Sequence, residues 1–553
     1  MTEEENIKQA IHSHFTEYFN KKLLEQIQPT SDYYQLYQPH SELEIHYQNL
    51  FDIISDEEWQ NTIQNLPLQK AAGPLETNYE HIKYVSSTGQ ISLKLFINKC
   101  FQLQKIPSDW KTSNIFLIPK KSSWDFTLNQ VHPISIIEPM KKCFTKIFTQ
   151  RLDHIINSNK LLSNLNFAAT KNSSTHIPIQ ILNNTIEHYK HFNKEAWIMF
   201  QDMSKAFDKI NISRLQDTCK RIGIPIKGIQ LITELHTNRQ ARIITAHGLT
   251  SPVHIKSGIE QGETYSPLLW KIYYDPILTY IHNKYKNHLL KITSSSPLEI
   301  VSNIPPSSIT IPPMAFMDDT VWHSKNPETL QCILNDTQQL YNLNNIEINA
   351  AKSDLLYISQ NKNKLNNTIP MLYYNNQIIP LRKPHEIIRY LGIYFDGNGS
   401  TKPTFEMLLS KIENFLSLIR FKKLTPKQIS TLFNIILQPS LEYLLQILSI
   451  SKTQQQKLSR LLSITTKKML HLAKNTSNIF LTNSLSFKLP TLQHLTQKVA
   501  ISTIEHIFHS TLLLKHIGEA RIKNWLTKIW QPLFLPNTPS KFSQKTKNFS
   551  FIF

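Results

Sequence analysis

Glycine is scarce in this chain, 11 in 553 residues where about 7% is usual, so each remaining glycine is expected to answer a backbone need. Gly248, Gly258, Gly262 and Gly392 fall in the central region and mark turns or close backbone approaches there. Cysteine is scarcer still. Cys100, Cys143, Cys219 and Cys332 stand far apart, with no CxxC or Cys/His zinc spacing, so reduced core thiols are expected rather than disulfides or structural zinc. No apolar run approaches the roughly 18 residues of a membrane span. The opening MTEEEN puts three acids where a secretory signal needs positive charge. The chain therefore reads as soluble and intracellular, with no membrane partner.

Acids nearly vanish late in the chain. From Thr401 to Phe553 there are 21 Lys and Arg against 5 Glu and no Asp, a local +16 within a formal net +19. That density is the electrostatic footprint of polyanion binding, usually nucleic acid. A solvated basic face is the weaker reading, because the acids that usually intersperse a surface are almost absent.

What is present is globular in composition, 40% hydrophobic and 10% aromatic. Thr2 to Gln28 reads as a helix, with a Thr2/Glu5 capping box and a stripe of Ile7, Ile11, Phe15 and Phe19. Segments Ile115 to Ile118, Ala196 to Phe200, Ser308 to Val321, Asp354 to Ser359 and Ile387 to Phe395 read as strands, with helical patterns between them, so the centre is α/β or α+β. Thr293 to Pro313, rich in Ser and Pro, reads as a surface insertion whose end feeds a strand. After about residue 400 helices dominate, with starts at Thr425-Pro426 and Pro439-Ser440. This stretch reads as a separate helical, basic domain.

The stretch MAFMDDTVWHS sets Asp318 beside Asp319 in an apolar, aromatic run. Two carboxylates about 4 Å apart repel by roughly 4 kcal/mol at an effective dielectric of about 20. Either they sit in water at a turn or a cation holds them. Another carboxylate, Asp202, follows the apolar run Ala196 to Phe200, at the strand end where a side chain can project into a cleft. For Asp202 alone, cap and ligand are even readings; Asp208 is better read as helping to start the helix through Arg214, with Asn211 and Ser213 as competing caps. Asp202, Asp318 and Asp319 together supply the oxygen ligands that hard divalent cations take. Consecutive strand residues face opposite ways, so the adjacent pair is expected to play unequal roles.

The ordered series "DMSKAFD", "GIEQGETYSPLLW", "AFMDDTVWHS", "INAAKSDLLYIS" and "RYLGIYFD" resembles the palm motifs of reverse transcriptases of the non-LTR retrotransposon type. Upstream, "LQKAAGPLETNYEHIK", "IPSDWKTSNIFLIPKK" and "HPISIIEPMKKCFTKIFTQRL" resemble the finger motifs of the same family. The resemblance implies an α+β right-hand polymerase with an antiparallel palm sheet. Residues 1–95 would form an N-terminal helical extension and the start of the fingers, 96–400 the fingers and palm with an insertion at about 293–313, and 401–553 a helical, basic thumb and C-terminal region.

By the same resemblance, Asp202 would be the first metal ligand, with the carbonyl of Met203 near the metal, Asp318 the second and Asp319 a weaker third. The cofactor would be two Mg²⁺ ions, with Mn²⁺ a possible substitute. Phe207 would gate against a ribose 2′-OH, favouring dNTPs; by itself a core aromatic is its commoner fate. Gln261-Gly262 and Ser266-Pro267 would pack under the incoming nucleotide and template base. Lys352 would approach the leaving pyrophosphate, Lys120 or Lys121 would contact the triphosphate, and Tyr390-Leu391-Gly392 would grip the primer end.

There are departures from the family pattern. His132 stands where arginine is usual, Phe316 where tyrosine is common, and Leu75-Glu76 where Asp-Gly is common. The implied function is RNA-directed DNA polymerisation on an RNA template from a DNA or RNA primer, with a separate endonuclease or a pre-existing nick required and nuclear access expected. The alternative is a decayed or co-opted remnant that binds RNA or DNA without catalysis. An RNA-dependent RNA polymerase is a poorer third reading, disfavoured by Phe207.

Overall fold

A computed structural model describes residues 3–20, 27–28, 31, 33–120, 123–169, 174–204, 206–359, 370–383, 385–448, 450–483 and 491–534, the last seven by backbone only. At its centre is a five-stranded sheet in the order Met314–Phe316, Asp319–Ser324, Ala196–Gln201, Asp354–Ile358, Leu381–Arg382. The first four strands run antiparallel, while the fifth joins Asp354–Ile358 in parallel. The expected all-antiparallel sheet is corrected at that edge.

The apolar run AWIMF is continuous because its strand is covered on both faces. Alternate residues point to opposite sides. Trp197 and Met199 enter one core with Trp322, Leu355 and the helices Pro139–Ser158, Ser266–Tyr285 and Pro327–Leu343. Ala196, Ile198 and Phe200 enter a second with Val321, Leu356 and the helices His176–His191, Lys402–Ile419 and Gln438–Leu445. That second core runs across residue 400, so the C-terminal helices pack directly on the back of the central sheet.

A second sheet joins Val131–Ile136, Thr112–Pro119 and Arg239–Thr245, with Gly248–Leu249 and Val253–Ile255 paired to the last. One of its faces is closed by the first helix, Glu4–Tyr18, whose Phe15 packs with the adjacent Phe19 against Ile115, Val131, Ile243 and Val253. The helix is shorter than the Thr2 to Gln28 expected. Glu3 holds the N-cap without a side-chain bond to the helix backbone, and Thr2 of the expected capping box lies outside the described residues.

Other elements also refine the sequence reading. Residues 291–310 form a hairpin, Lys291–Ser294 against Ser307–Thr310, enclosing a short helix capped by Ser296 and Glu299. The C-terminal helix Leu512–Phe534 docks on it: Lys523 pairs with Glu299 at 2.7 Å, and Asn524 and Thr527 donate to the carbonyls of Thr293 and Ser295. Pro312 and Pro313 break the expected strand from Ser308 to Val321. Thr425 caps its helix as expected, but Pro439 opens no separate one: a π turn, Phe433–Leu437, carries the chain straight into Gln438–Leu445. Cys100, Cys143 and Cys219 are buried free thiols, while Cys332 is exposed, against the expectation of four core thiols. Among the described residues no helix is long and apolar enough to cross a membrane.

Candidate active site

Asp202 follows the central strand by one residue. Gln201 before it is locked in the core, donating to the Tyr341 hydroxyl at 2.8 Å and accepting from Trp322 Nε1 at 2.7 Å. The Asp202 backbone is held on both sides: its N–H donates to Ser353 Oγ at 3.2 Å, and its carbonyl accepts from the Asn349 N–H at 3.0 Å. Met203 pairs with Ile348 just beyond. Burial raises the Asp202 carboxyl above its ordinary value, against the pull of Lys352 and Lys120.

Asp318 and Asp319 arrive from the neighbouring hairpin. Asp319 opens the return strand opposite Phe316, while Asp318 sits in the turn behind Met317, whose φ is +56°. The alternation of a strand would have sent the two carboxylates apart; the turn redirects Asp318. Burial, partly offset by backbone N–H groups, raises Asp318, and the charge of Asp202 adds to the rise. Burial followed by the charges of Asp318 and Asp202 pushes Asp319 up to about 6, against the pull of Arg389. The charge of Asp202 thus acts on both Asp318 and Asp319, and that of Asp318 on Asp319.

Among the described residues, no three Asp, Glu, His or Cys side chains stand close enough to enclose a metal ion. The donor chemistry fits a hard cation that one or two carboxylates hold while phosphate and water complete its shell, as Mg²⁺ prefers. The like charges that raise Asp318 and Asp319 are what such a cation would relieve.

The candidate nucleotide side lies on the loop from Ser257 to Tyr265. Gly262 has φ +111°, and a Cβ there would stand 3.2 Å from the Ser135 carbonyl, so glycine permits the loop to lie against the strand that carries His132. The contact is sealed by the Ser135 N–H donating to the Gln261 carbonyl at 3.0 Å. Ser266 bonds back to the Glu260 carbonyl and, with Pro267, opens the helix Ser266–Tyr285. Phe207 is partly buried beside Trp270, ring centroids 5.9 Å apart, and its carbonyl accepts from the Ile259 N–H.

Asp208 does not start the next helix. Asn211 caps it by accepting from the Arg214 N–H, and Asp208 is buried between Tyr18 and Gln261. Lys352 ends a short helical turn capped by Asn349. Lys120 is exposed at the end of its strand, acting on Asp202 and on His132; Lys121 lies outside the described residues. Partial desolvation and Lys120 lower the His132 imidazole below its ordinary value.

Tyr390, Leu391 and Gly392 form a tight hairpin turn between Ile388–Tyr390 and Ile393–Phe395, with φ +46° at Leu391 and +80° at Gly392. Tyr443 donates its hydroxyl to the Leu391 carbonyl. Arg389 and Tyr390 both interact electrostatically with Asp319, which sets this turn near that carboxylate.

Sequence reasoning missed a buried ion cluster beneath the nucleotide loop. Lys141 Nζ lies 2.6 Å from Glu260 and 4.0 Å from Glu263, and all three side chains are essentially out of solvent. Thr145 and Tyr265 donate to Glu263 and Glu260. Burial pushes both carboxyls up. Lys141 and Arg239 outweigh it at Glu260, which is lowered overall, whereas Glu263 stays raised. Asn166, which grips Met317, was missed as well. No local spacing signals either feature, because Lys141 lies 119 residues from Glu260 and Asn166 lies 151 from Met317.

A family model described as reverse transcriptase (RNA-dependent DNA polymerase) matches residues 118–395, a span that holds all three carboxylates and the nucleotide loop. The chain is 24% identical over 375 residues to the Retrovirus-related Pol polyprotein from type-1 retrotransposable element R2 of Popillia japonica, covering 68% of this chain and 49% of that protein. It is 25% identical over 305 residues to the corresponding polyprotein from type-2 retrotransposable element R2DM of Drosophila melanogaster, covering 54% and 26%. It is 23% identical over 217 residues to the probable RNA-directed DNA polymerase from transposon BS of the same fly, covering 39% and 24%. The aligned part spans about half of the first relative's length and about a quarter of the other two.

Proposed function

Because the chain belongs to the reverse transcriptase (RNA-dependent DNA polymerase) family, we propose that it extends a primer 3′-OH with dNTPs on an RNA template, as the polymerase of a non-LTR retrotransposon. The observation that carries this reading is the gathering of Asp202, Asp318 and Asp319, the charge of Asp202 raising both of the other carboxyls and that of Asp318 raising Asp319. Asp202 and Asp318, with the Met203 carbonyl, would hold two Mg²⁺ ions, Mn²⁺ being a possible substitute. When bound, such ions stabilise the attacking and leaving oxygens of an in-line phosphoryl transfer. Asp319, on the strand rather than in the turn, contributes less directly.

The other residues take supporting parts. Lys352 and Lys120, whose charges already act on Asp202, neutralise pyrophosphate and triphosphate charge, with His132 beside Lys120. Gln261 and Gly262 bring backbone close to the nucleotide, and Phe207, wedged beside Trp270, excludes a ribose 2′-OH. The turn at Tyr390, Leu391 and Gly392 holds the primer end. The basic helices after residue 400, as thumb and C-terminal region, close on the A-form-like duplex through phosphate and 2′-OH contacts, so binding is expected to weaken steeply with salt. A separate endonuclease or an existing nick supplies the primer end, and copying into chromosomes requires nuclear access.

One observation favours a second reading, that of a non-catalytic RNA- or DNA-binding remnant. His132 stands in place of the family's arginine and is held toward its neutral form, which weakens the expected grip on triphosphate. Primer extension on an RNA template, with Asp318→Ala as comparison, decides between the two.

A further inference from the structure

Asp208 is 5% exposed and faces two donors at once. Tyr18, the last residue of the first helix, donates its hydroxyl to Asp208 Oδ2 at 2.6 Å, and Gln261 donates Nε2 to the same oxygen at 2.9 Å. The surrounding main chain is already fixed. Gly258 N–H bonds the Ile210 carbonyl at 2.8 Å, Ile259 N–H bonds the Phe207 carbonyl at 2.9 Å, and Ser257 Oγ bonds the Asp208 carbonyl at 3.3 Å. Gly258 could not be replaced without disturbing this seam, since a Cβ there would stand 2.6 Å from the Asp208 carbonyl oxygen.

Those bonds place the loop, but they do not orient the Gln261 amide. Asp208 Oδ2 accepts from Gln261 Nε2 as it does from the Tyr18 hydroxyl, so Asp208 selects the nitrogen of that amide. The amide oxygen is then turned away from Asp208, and the side chain offers an acceptor to whatever it meets. Burial and the charge of Asp208 raise the Tyr18 hydroxyl far above its ordinary value, which keeps it a donor.

We propose that Asp208 and Tyr18 are positioning residues that set the amide orientation of Gln261 toward the incoming nucleotide. The N-terminal helix, which lies outside the matched span 118–395, is on this account part of the nucleotide-selecting apparatus. The inference rests on the proposed contact between the Gln261 loop and the nucleotide. It commits Gln261 to meeting a hydrogen-bond donor of the dNTP, a ribose hydroxyl or a base amino group.

Phe15 and Phe19 anchor the first helix in an apolar core, so Tyr18→Phe removes one hydroxyl and leaves that packing in place. The test uses the full chain as wild type, Tyr18→Phe, Asp208→Asn, Gln261→Ala and the Asp208→Asn/Gln261→Ala double variant. Two quantities are measured: KM and kcat for each dNTP in primer extension, and Kd for the matching dNTP on a complex whose primer is dideoxy-terminated.

Asp208→Asn is expected to raise KM and Kd about 10-fold and Tyr18→Phe about 3-fold, the scale of the net worth of one hydrogen bond, with the larger part of the loss in KM rather than kcat. In the Gln261→Ala background Asp208→Asn is expected to add nothing, because the group it orients is gone. If dTTP, which has no exocyclic amine, is spared in Asp208→Asn, the donor is a base amino group; an equal effect on all four dNTPs makes it a ribose hydroxyl.

Equal weakening in both backgrounds, or single variants with unchanged KM and Kd, overturns the proposal. A wild type that binds dNTP with this coupling but extends no primer supports the positioning role and removes the polymerase reading. A wild type that extends primers without the coupling does the reverse.

Discussion

Asn166 grips Met317 with both ends of one side-chain amide: Nδ2 donates to the Met317 carbonyl at 3.0 Å, and Oδ1 accepts the Met317 N–H at 3.1 Å. Trp270 Nε1 donates to the same carbonyl at 2.9 Å. Met317 adopts φ +56°, a region costly for a residue with a Cβ, and it is the residue that aims Asp318. The clamp offsets that cost at the turn that carries Asp318.

Asn166→Leu keeps the bulk and removes both bonds. It is expected to lower single-turnover primer extension by about 10- to 100-fold, since small misplacements of a reacting group carry losses of that order. Template and primer affinity should stay near wild type, and circular dichroism should show a folded protein.

At His132 the expected change is a gain. Partial desolvation and Lys120 hold its imidazole toward the neutral form, whereas a guanidinium would be charged and could bond phosphate bidentately. His132→Arg should lower KM for dNTP by about 3- to 10-fold, read from extension rates over a dNTP concentration series.

Lys141 tests stability rather than chemistry. Lys141→Met strands Glu260 and Glu263 in the core without their cation, which is expected to cost about 3–5 kcal/mol. Urea denaturation should show it. The triple variant Lys141→Met/Glu260→Gln/Glu263→Gln should recover most of the loss, because the two stranded carboxylates are gone while Arg239 keeps its bonds to the carbonyls of His236, Ser257 and Gly258.

His323 gives the fold an acid limit. Its ring is buried between the Pro312 carbonyl, 3.0 Å from Nε2, and the Leu290 N–H, 3.4 Å from Nδ1. The second contact needs a neutral nitrogen. Burial lowers its pKa to about 4, against about 6.5 in an unfolded chain. The unfolded state therefore takes up the proton first. The contribution is complete above about pH 6.5 and fades as pH falls toward about 4, by up to about 3 kcal/mol. Urea midpoints at pH 7, 6 and 5 should fall more steeply for wild type than for His323→Gln.

The carboxylates of the site were legible in the sequence because each sits in a short motif with a fixed place in the chain order. The central strands were legible because burial on both faces leaves an unbroken apolar run, as in AWIMF. The supports of the site were not. Asn166 lies 151 residues from Met317, and nothing periodic marks it. Asp208 looked like a helix start because aspartate caps well locally; Asn211 took the cap, and Tyr18 and Gln261, 190 and 53 residues away, claimed the carboxylate. The strand Val131–Ile136 went unread because its alternation of buried and exposed positions includes a proline and a histidine. The shared core behind the central sheet was equally invisible, since a change of composition at residue 400 says nothing about which faces pack together.

On the proposed function, Asp202 and Asp318 support metal-dependent DNA synthesis on RNA. Its most direct test is extension of an annealed primer on an RNA template with dNTPs, comparing wild type with Asp318→Ala at matched template binding. Extension that requires Mg²⁺ or Mn²⁺ in the wild type and falls to background in Asp318→Ala is the predicted result. Undiminished extension by Asp318→Ala, or a wild type that binds template and primer tightly but extends with neither metal, would contradict it.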